Sequence, residues 1–424
     1  MAFPDELARE VVAPVAVRPM RTLWLLSIAH AVNHAQAVLL PLVYLKVIDE
    51  FGVTVETIAF LSALGAFASG AIQLSYAALT RIASRRNLLV AGGFLFGAGF
   101  AAQAVTTTFP SFAILNVLSR LGGSPQHPVG NGLLAEQFPP ERRGFAISAH
   151  IAGGNVGTVI VAVTGAWLIA NAGWRATVVL FGIPAVIVAL GILFWVRETG
   201  ADRDAAIAHG SVTDAFRFIV RDRNHVWIYL TSVLGGGGRG LGVVNLFALL
   251  YLTHLIRLDE ATSGVMYAVL IVLSVPMPLV AGWLSDRIGR KPLIMGVYLG
   301  GAVGFLVFVS AGSSLLGLWA GIAIMGLFSF AESPQLQALL ADVAPPEIRD
   351  VSFAAYFTLA FGVGSLWVAV YGVVIERAGE AAGLPIVFWL MATTFVAAAF
   401  TTLPIRTPAR PAGVRDGAAE GHLP

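Results

Sequence analysis

The chain has no cysteine and almost no lysine. Without thiols there are no disulfides, no thiolate metal sites and no argument about redox compartment. Lysine occurs only at Lys46 and Lys291, so arginine supplies nearly all the positive charge. The net charge of +2 is too small to attract nucleic acid. Charge of either sign is scarce: 12% of the 424 residues are charged, against about 25% in soluble domains. No nucleotide-binding G-x-x-x-x-G-K loop is present, and no H-E-x-x-H metal motif. What remains is 57% hydrophobic with a mean hydropathy of +0.81. So much hydrocarbon suits lipid and not water.

A helix needs about 20 apolar residues to cross a bilayer. Twelve stretches qualify: 22–45, 55–79, 87–107, 111–135, 144–170, 174–196, 225–252, 262–284, 292–311, 314–340, 351–375 and 384–404. They are numbered here as spans 1 to 12. Polar–apolar alternation is absent, so barrel strands are not expected. Residues 1–21 lack the short apolar core and small-residue cleavage site of a signal peptide, and span 1 is expected to act as an uncleaved insertion signal. Basic residues set the orientation. With the N-terminus inside, the cytoplasmic segments hold twenty Arg and Lys. The opposite side holds four: Lys46, Arg175, Arg257 and Arg377. Both termini are therefore expected in the cytoplasm, with the protein multi-pass in a cell membrane, most simply a bacterial inner membrane.

Between spans 6 and 7 lies the longest polar connection, 197–224, with ten charged residues. It divides the chain into a tail (1–21), a six-helix bundle (22–196), a cytoplasmic linker (197–224), a second bundle (225–404) and a second tail (405–424). Within the linker, "DAFRFIVRDR" predicts a short surface helix. The bundles repeat one another. "SPQ" stands at 124–126 and again at 333–335, and "LLAEQFPPERRG" (133–144) aligns with "LLADVAPPEIRD" (339–350) at an offset of 206 residues. "TRIASRRNLL" (80–89) and "DRIGRKPLIM" (286–295) share that offset. The expected fold is all-α: twelve transmembrane helices in two pseudo-symmetric bundles about an axis along the membrane normal, a design common among secondary transporters.

"GWLSDRIGRKP" (282–292) resembles the signature loop of the major facilitator superfamily. The family's usual copy, between helices 2 and 3, is degraded here to "YAALTRIASRR", with Thr80 in place of the acid and Ala83 in place of the glycine. "HAVNH" in span 1, "GGSPQHP" in span 4 and "GGNVG" (153–157) in span 5 are similar to the fosmidomycin-resistance branch. That branch tends to carry acids where this chain has His34 and Val129. The resemblance implies the major facilitator fold, a central cavity lined by helices 1, 4, 7 and 10, and a gating role for the loop residues Gly282, Asp286, Arg287, Gly289, Arg290 and Lys291.

Ionisable groups deep in the spans follow the same three-helix period. Span 1 has His30 and His34 beside Asn33, span 4 has Arg120 and His127, span 7 has Arg239 and span 10 has Glu332. A charge at the bilayer centre costs roughly 3 kcal/mol or more, so these helices must face one another or water. On a continuous helix, Arg120, Ser124, His127 and Asn131 form one stripe. The four glycines 235–238 before Arg239 would admit a close neighbour or a bend. Arg120 and Arg239 are the expected anion cage, since a guanidinium grips carboxylate bidentately. His30, Asn33, His34, Ser124 and His127 complete the expected substrate site. Glu332, the sole intramembrane carboxylate, is the expected proton carrier with His127, or else the ion partner of an arginine. No close histidine cluster is evident, so no metal site and no cofactor are expected. His150, with the small face Gly153–Gly154–Gly157, reads as helix packing.

These features point to a secondary transporter, a monomer in lipid, moving a small organic molecule by alternating access. An anion and coupling to protons are the economical expectations. By resemblance the direction is export, as proton antiport in efflux and resistance; the arginines fit uptake of an organic acid equally well. Span 5 lacks the Gly-Pro-rich signature of many drug antiporters. An embedded enzyme lacks a nucleophile–base set, and a receptor lacks a sizeable soluble domain.

Overall fold

The computed structural model describes residues 16–53, 55–364 and 366–407. Arg9, Arg410 and Arg415 of the tails thus lie outside the described residues. Among the described residues there is no strand. Eleven helices are long and apolar enough to cross a membrane: Pro19–Phe51, Phe60–Ile82, Arg85–Val105, Pro140–Gly165, Trp167–Trp195, Arg223–Leu255, Ala261–Ile288, Arg290–Ser310, Leu315–Val343, Pro346–Ala378 and Glu380–Thr401. They correspond to spans 1–3 and 5–12. Span 4 is the exception. It is split into Phe109–Gly123, a tight 3-10 turn at Ser124–Gln126, and Pro128–Gln137. Pro125 and Pro128 each lack an N–H and crowd the preceding carbonyls, so the helical ladder fails between them.

Spans 5 and 6 form one helical run, Pro140–Trp195, interrupted at Gly173. Its φ of 79° lies in the left-handed region that glycine tolerates. In the linker, Val212–Ile219 is a helix opened by a reciprocal Ser211–Asp214 capping box. A second short helix, Ala201–His209, precedes it.

Span 7 breaks at mid-length. After Gly236–Gly238 the chain is extended at Arg239 (φ −64°, ψ 132°) and resumes as a π-turn, Gly240–Val244. Span 10 breaks too, between Leu315–Phe328 and Glu332–Val343. The two breaks satisfy each other, because Gly240 N–H donates to the Ser329 carbonyl at 2.9 Å. Irregular backbone at membrane depth needs such partners. The glycines before Arg239 serve both expected purposes: the helix bends there, and neighbours close in. A Cβ on Gly235 would lie 2.3 Å from the Tyr298 hydroxyl, and one on Gly238 2.6 Å from the Phe395 ring.

The halves meet along spans 2, 4, 5, 8, 10 and 11. Asn131 Nδ2 donates to Gln337 Oε1 at 2.5 Å, and Gln335 Nε2 to Ser148 Oγ at 3.0 Å. Asn131 and Gln337 are separated by the repeat offset, so equivalent residues of the two halves touch. Asn131 therefore leaves the expected span 4 stripe and faces the other bundle.

Inside the first bundle, span 5 packs on span 1 through glycine. A Cβ on Gly153 would lie 2.5 Å from the Ser27 carbonyl oxygen, and one on Gly157 1.8 Å from that of Ala31. Gly157→Ala must therefore push these backbones apart. Overpacking of this kind costs about 1–3 kcal/mol, and the detergent-purified variant should melt several degrees lower; an unchanged melting temperature would disprove the contact.

Candidate functional site

A cavity of about 280 Å³ opens between spans 1, 2 and 4. Asn33, Gln36, Gln73, Asn116, Arg120 and His127 give its polar lining, and Phe96, Phe100 and Phe361 its aromatic one. All belong to the first bundle except Phe361, which comes from the π-turn Thr358–Val363 of span 11. Arg120 has no carboxylate within ion-pair distance among the described residues. Tyr44 lies beside it and donates its hydroxyl hydrogen to Asn116 Oδ1 at 3.1 Å. Gly65 leaves room for the arginine, since a Cβ there would sit 2.6 Å from Arg120 Cδ. Ser124 also lines the cavity, but its hydroxyl pairs with Tyr76 Oη at 2.7 Å and with the Leu121 carbonyl at 2.6 Å.

Arg239 is placed elsewhere, in the second bundle. Its Nε donates to Glu332 Oε1 at 2.7 Å, and Glu332 is wholly buried. Tyr298 donates to the other carboxylate oxygen at 2.9 Å. The rest of the fork reaches the Ala360 carbonyl (3.0 Å) and the Ser232 carbonyl (3.2 Å). The structure therefore does not join Arg120 and Arg239 into one cage. Arg239 neutralises the Glu332 carboxylate, and among the described residues Arg120 alone presents charge to the cavity.

The histidines correct the sequence-based expectation directly. His30, His34 and His127 form a close cluster, each offering a ring nitrogen within 4.8 Å of the others. Ring centroids are 4.6 Å apart for His30–His34 and 4.7 Å for His30–His127. His150, read as packing, stacks on His30 at 4.5 Å. Sequence reasoning missed the cluster because His127 comes from span 4 and the stacked His150 from span 5, and only the His30/His34 pair shares a helix. Asn33 stays nearby, donating to the Gly123 carbonyl at 3.3 Å.

On the face that carries the linker, two ionic nests tie the halves together. In one, Asp286 accepts from the Gly144 and Phe145 N–H groups (3.1 and 2.9 Å), near the start of span 5 where free amides favour an anion. Arg290 binds Asp286, and reaches Asp342 at 2.8 Å and the Pro140 carbonyl at 2.9 Å. Gly282 allows the approach, because a Cβ there would lie 2.6 Å from the Gly144 carbonyl oxygen. Gly289 turns the loop at a φ of 103°. The other loop residues point elsewhere: Arg287 lies over the Trp283 ring at 3.5 Å, and Lys291 ties down the Leu403 and Ile405 carbonyls at 2.8 Å.

The second nest occupies the place of the degraded loop. Arg85 binds Glu136 (2.5 Å), Asp350 (2.8 Å) and Asp202 (3.1 Å), and Arg349 also binds Asp202. Thr80 supplies no acid, but Asp350 stands at the repeat position of Gly144, so the carboxylate has moved across the interface. Asp202 of the linker adds another. The repeat contained a signal for this nest, because Glu136/Asp342 and Arg143/Arg349 are equivalent positions. Beside it, Glu198 accepts from the Arg86 N–H at 3.1 Å, and burial pushes its carboxyl up.

Since the chain has no cysteine, one introduced thiol reports closure of this face. Ser148→Cys, at the buried interface, should resist maleimide in an otherwise natural chain. Adding Asp286→Asn should raise the labelling rate severalfold; an unchanged rate would show that Asp286 does not hold the face shut.

Comparison with known proteins agrees with this architecture. Residues 26–369 match the Major Facilitator Superfamily. A putative metabolite transport protein of Haemophilus influenzae is 25% identical over 280 residues, 64% of this chain and 68% of that one. The cis,cis-muconate transport protein of Acinetobacter baylyi is 27% identical over 48% of this chain and 50% of its own. The multidrug resistance protein MdtH of Cronobacter sakazakii is 26% identical over 84% of this chain and 86% of its own. Among solved structures, FucP in its outward conformation superposes with a TM-score of 0.76 at 16% identity, covering 91% of this chain and 98% of that one. A double-tryptophan mutant of XylE gives 0.75 at 16% identity, covering 92% and 96%. With the signature loop, the paired bundles and this match over most of its length, the chain belongs to the Major Facilitator Superfamily, as a multi-pass membrane transporter of small organic molecules and not an enzyme.

Proposed function

We propose that the chain carries a small organic anion by proton-coupled alternating access, with the linker face cytoplasmic. The observation behind this reading is the single uncompensated arginine, Arg120, in an otherwise aromatic and amide-lined cavity. Such a guanidinium favours a carboxylate, and Phe96, Phe100 and Phe361 suit a flat or unsaturated body. Relatives named for cis,cis-muconate and 4-hydroxybenzoate transport fit that chemistry.

Glu332 and Arg239 supply the coupling. Taking a proton would remove the charge that holds Arg239 Nε, and an arginine left without its counter-ion at this depth must reorganise. The same guanidinium grips the Ala360 carbonyl, next to Phe361 at the cavity wall. Protonation in the second bundle thereby reaches the aromatic wall of the first bundle's cavity. The ionic nests bias the halves toward closure on the linker face, as a two-state device requires.

Uptake in symport with protons follows most simply from the anion cavity. The second reading is proton-driven export. It rests on the three motifs shared with the fosmidomycin-resistance branch and on relatives named for multidrug and chloramphenicol resistance.

In proteoliposomes, the sign of the pH gradient that drives accumulation separates the two. Glu332→Gln should abolish gradient-driven transport and spare counterflow exchange; surviving driven transport would remove Glu332 from the coupling. Arg120→Ala should weaken binding of cis,cis-muconate or 4-hydroxybenzoate about ten- to hundredfold, the worth of hydrogen bonds to a charged group. Equal binding by natural chain and variant would rule out the anion cavity.

A further inference from the structure

We infer that His30, His34 and His127 form a binding site for one divalent transition-metal ion of borderline softness, such as zinc, cobalt or nickel. The ring nitrogens lie within 4.8 Å of one another. Imidazole nitrogens around a zinc at about 2.0–2.1 Å stand roughly 3.3 Å apart, so modest ring rotations close the site. The lone pair of His30 is already set. His30 Nδ1 donates its hydrogen to the His150 carbonyl at 2.9 Å, which fixes the tautomer and leaves Nε2 as a bare acceptor. That Nε2 is buried and has no hydrogen-bond partner, and His127 Nδ1 is likewise unpartnered. A ligating histidine held through its other nitrogen by a carbonyl is how proteins orient such rings.

His150 completes this support. Its Nε2 donates to the Gln126 carbonyl at 3.2 Å, and its ring stacks on His30. Gly154 leaves space for His34, since a Cβ there would sit 3.0 Å from the ring. No carboxylate belongs to the set, which disfavours magnesium and calcium and favours zinc, cobalt or nickel. An unpaired imidazole lone pair in a buried site is otherwise a plain loss. His127 also lines the cavity, so the remaining coordination position is reached from there. On the other side His127 packs against Phe357 and Phe361 at 5.0 and 5.1 Å.

The test uses the full chain, purified in detergent without a polyhistidine tag. Zinc is added, excess is removed by gel filtration, and retained metal is counted; cobalt is then titrated to read its ligand-field absorption. The expected result is one ion per chain, absorption of a nitrogen-rich low-coordinate cobalt, and weaker retention as pH falls because protons compete for imidazole. His127→Ala should lose the ion and the bands, whereas His254→Ala, on an exposed histidine, should keep both. Where His127→Ala fails to fold, His34→Gln at the half-buried position serves instead. No retained ion, or retention unchanged by His127→Ala and His34→Gln, would overturn the site. Neither assay involves transport or an organic anion, so failure here leaves the anion-carrier reading standing.

Discussion

An ion pair at the place where two helices come apart governs the second bundle. Spans 7 and 10 both lose their regular ladder at mid-depth, and Arg239 and Glu332 stand at those breaks. Neither charge is tolerable alone in a low-dielectric interior. Together, with Tyr298 and the carbonyls of Ser232 and Ala360, they satisfy one another and hold four helices in register. Among the described residues the first bundle has no such pair at mid-depth. There Arg120 faces a cavity whose other polar groups are imidazole, amides and hydroxyls. The asymmetry between bundles is thus one of compensation: the second neutralises its charge internally, and the first leaves its charge available.

Much of this was legible in the chain. Apolar runs located the spans, and the offset of 206 related the halves. The period of ionisable residues picked out spans 1, 4, 7 and 10 before any coordinates, because a charge cannot face lipid cheaply. Other features were not legible, for identifiable reasons. Arg120 and Arg239 looked equivalent because each is one arginine per half, and only packing assigns Glu332 to Arg239. The histidine cluster joins spans 1 and 4, and no spacing along one helix reports that. Asn131 leaves its expected stripe because Pro125 and Pro128 break the helix between it and Arg120.

The linker-face nests show how a repeat diverges without losing its mechanics. In one half the loop keeps its acid, Asp286, and the facing helix begins with a glycine, Gly144. In the other the loop has Thr80, and the facing position has become Asp350. The electrostatic contact survives with donor and acceptor redistributed. The linker joins in through Asp202, so a segment that reads as a spacer in sequence is part of the closure.

The Asn131–Gln337 bond has a geometric consequence. Contact between residues at equivalent positions places them on the pseudo-twofold axis that relates the bundles. That axis runs along the membrane normal, whereas rocking turns the bundles about a line in the membrane plane, so points on the axis separate in proportion to their depth from the midplane. The ionic nests lie off the axis and act as latches that must part. The amide pair lies within two turns of Gln137, at the linker-face end of span 4, so it is one more contact that opening this face must break.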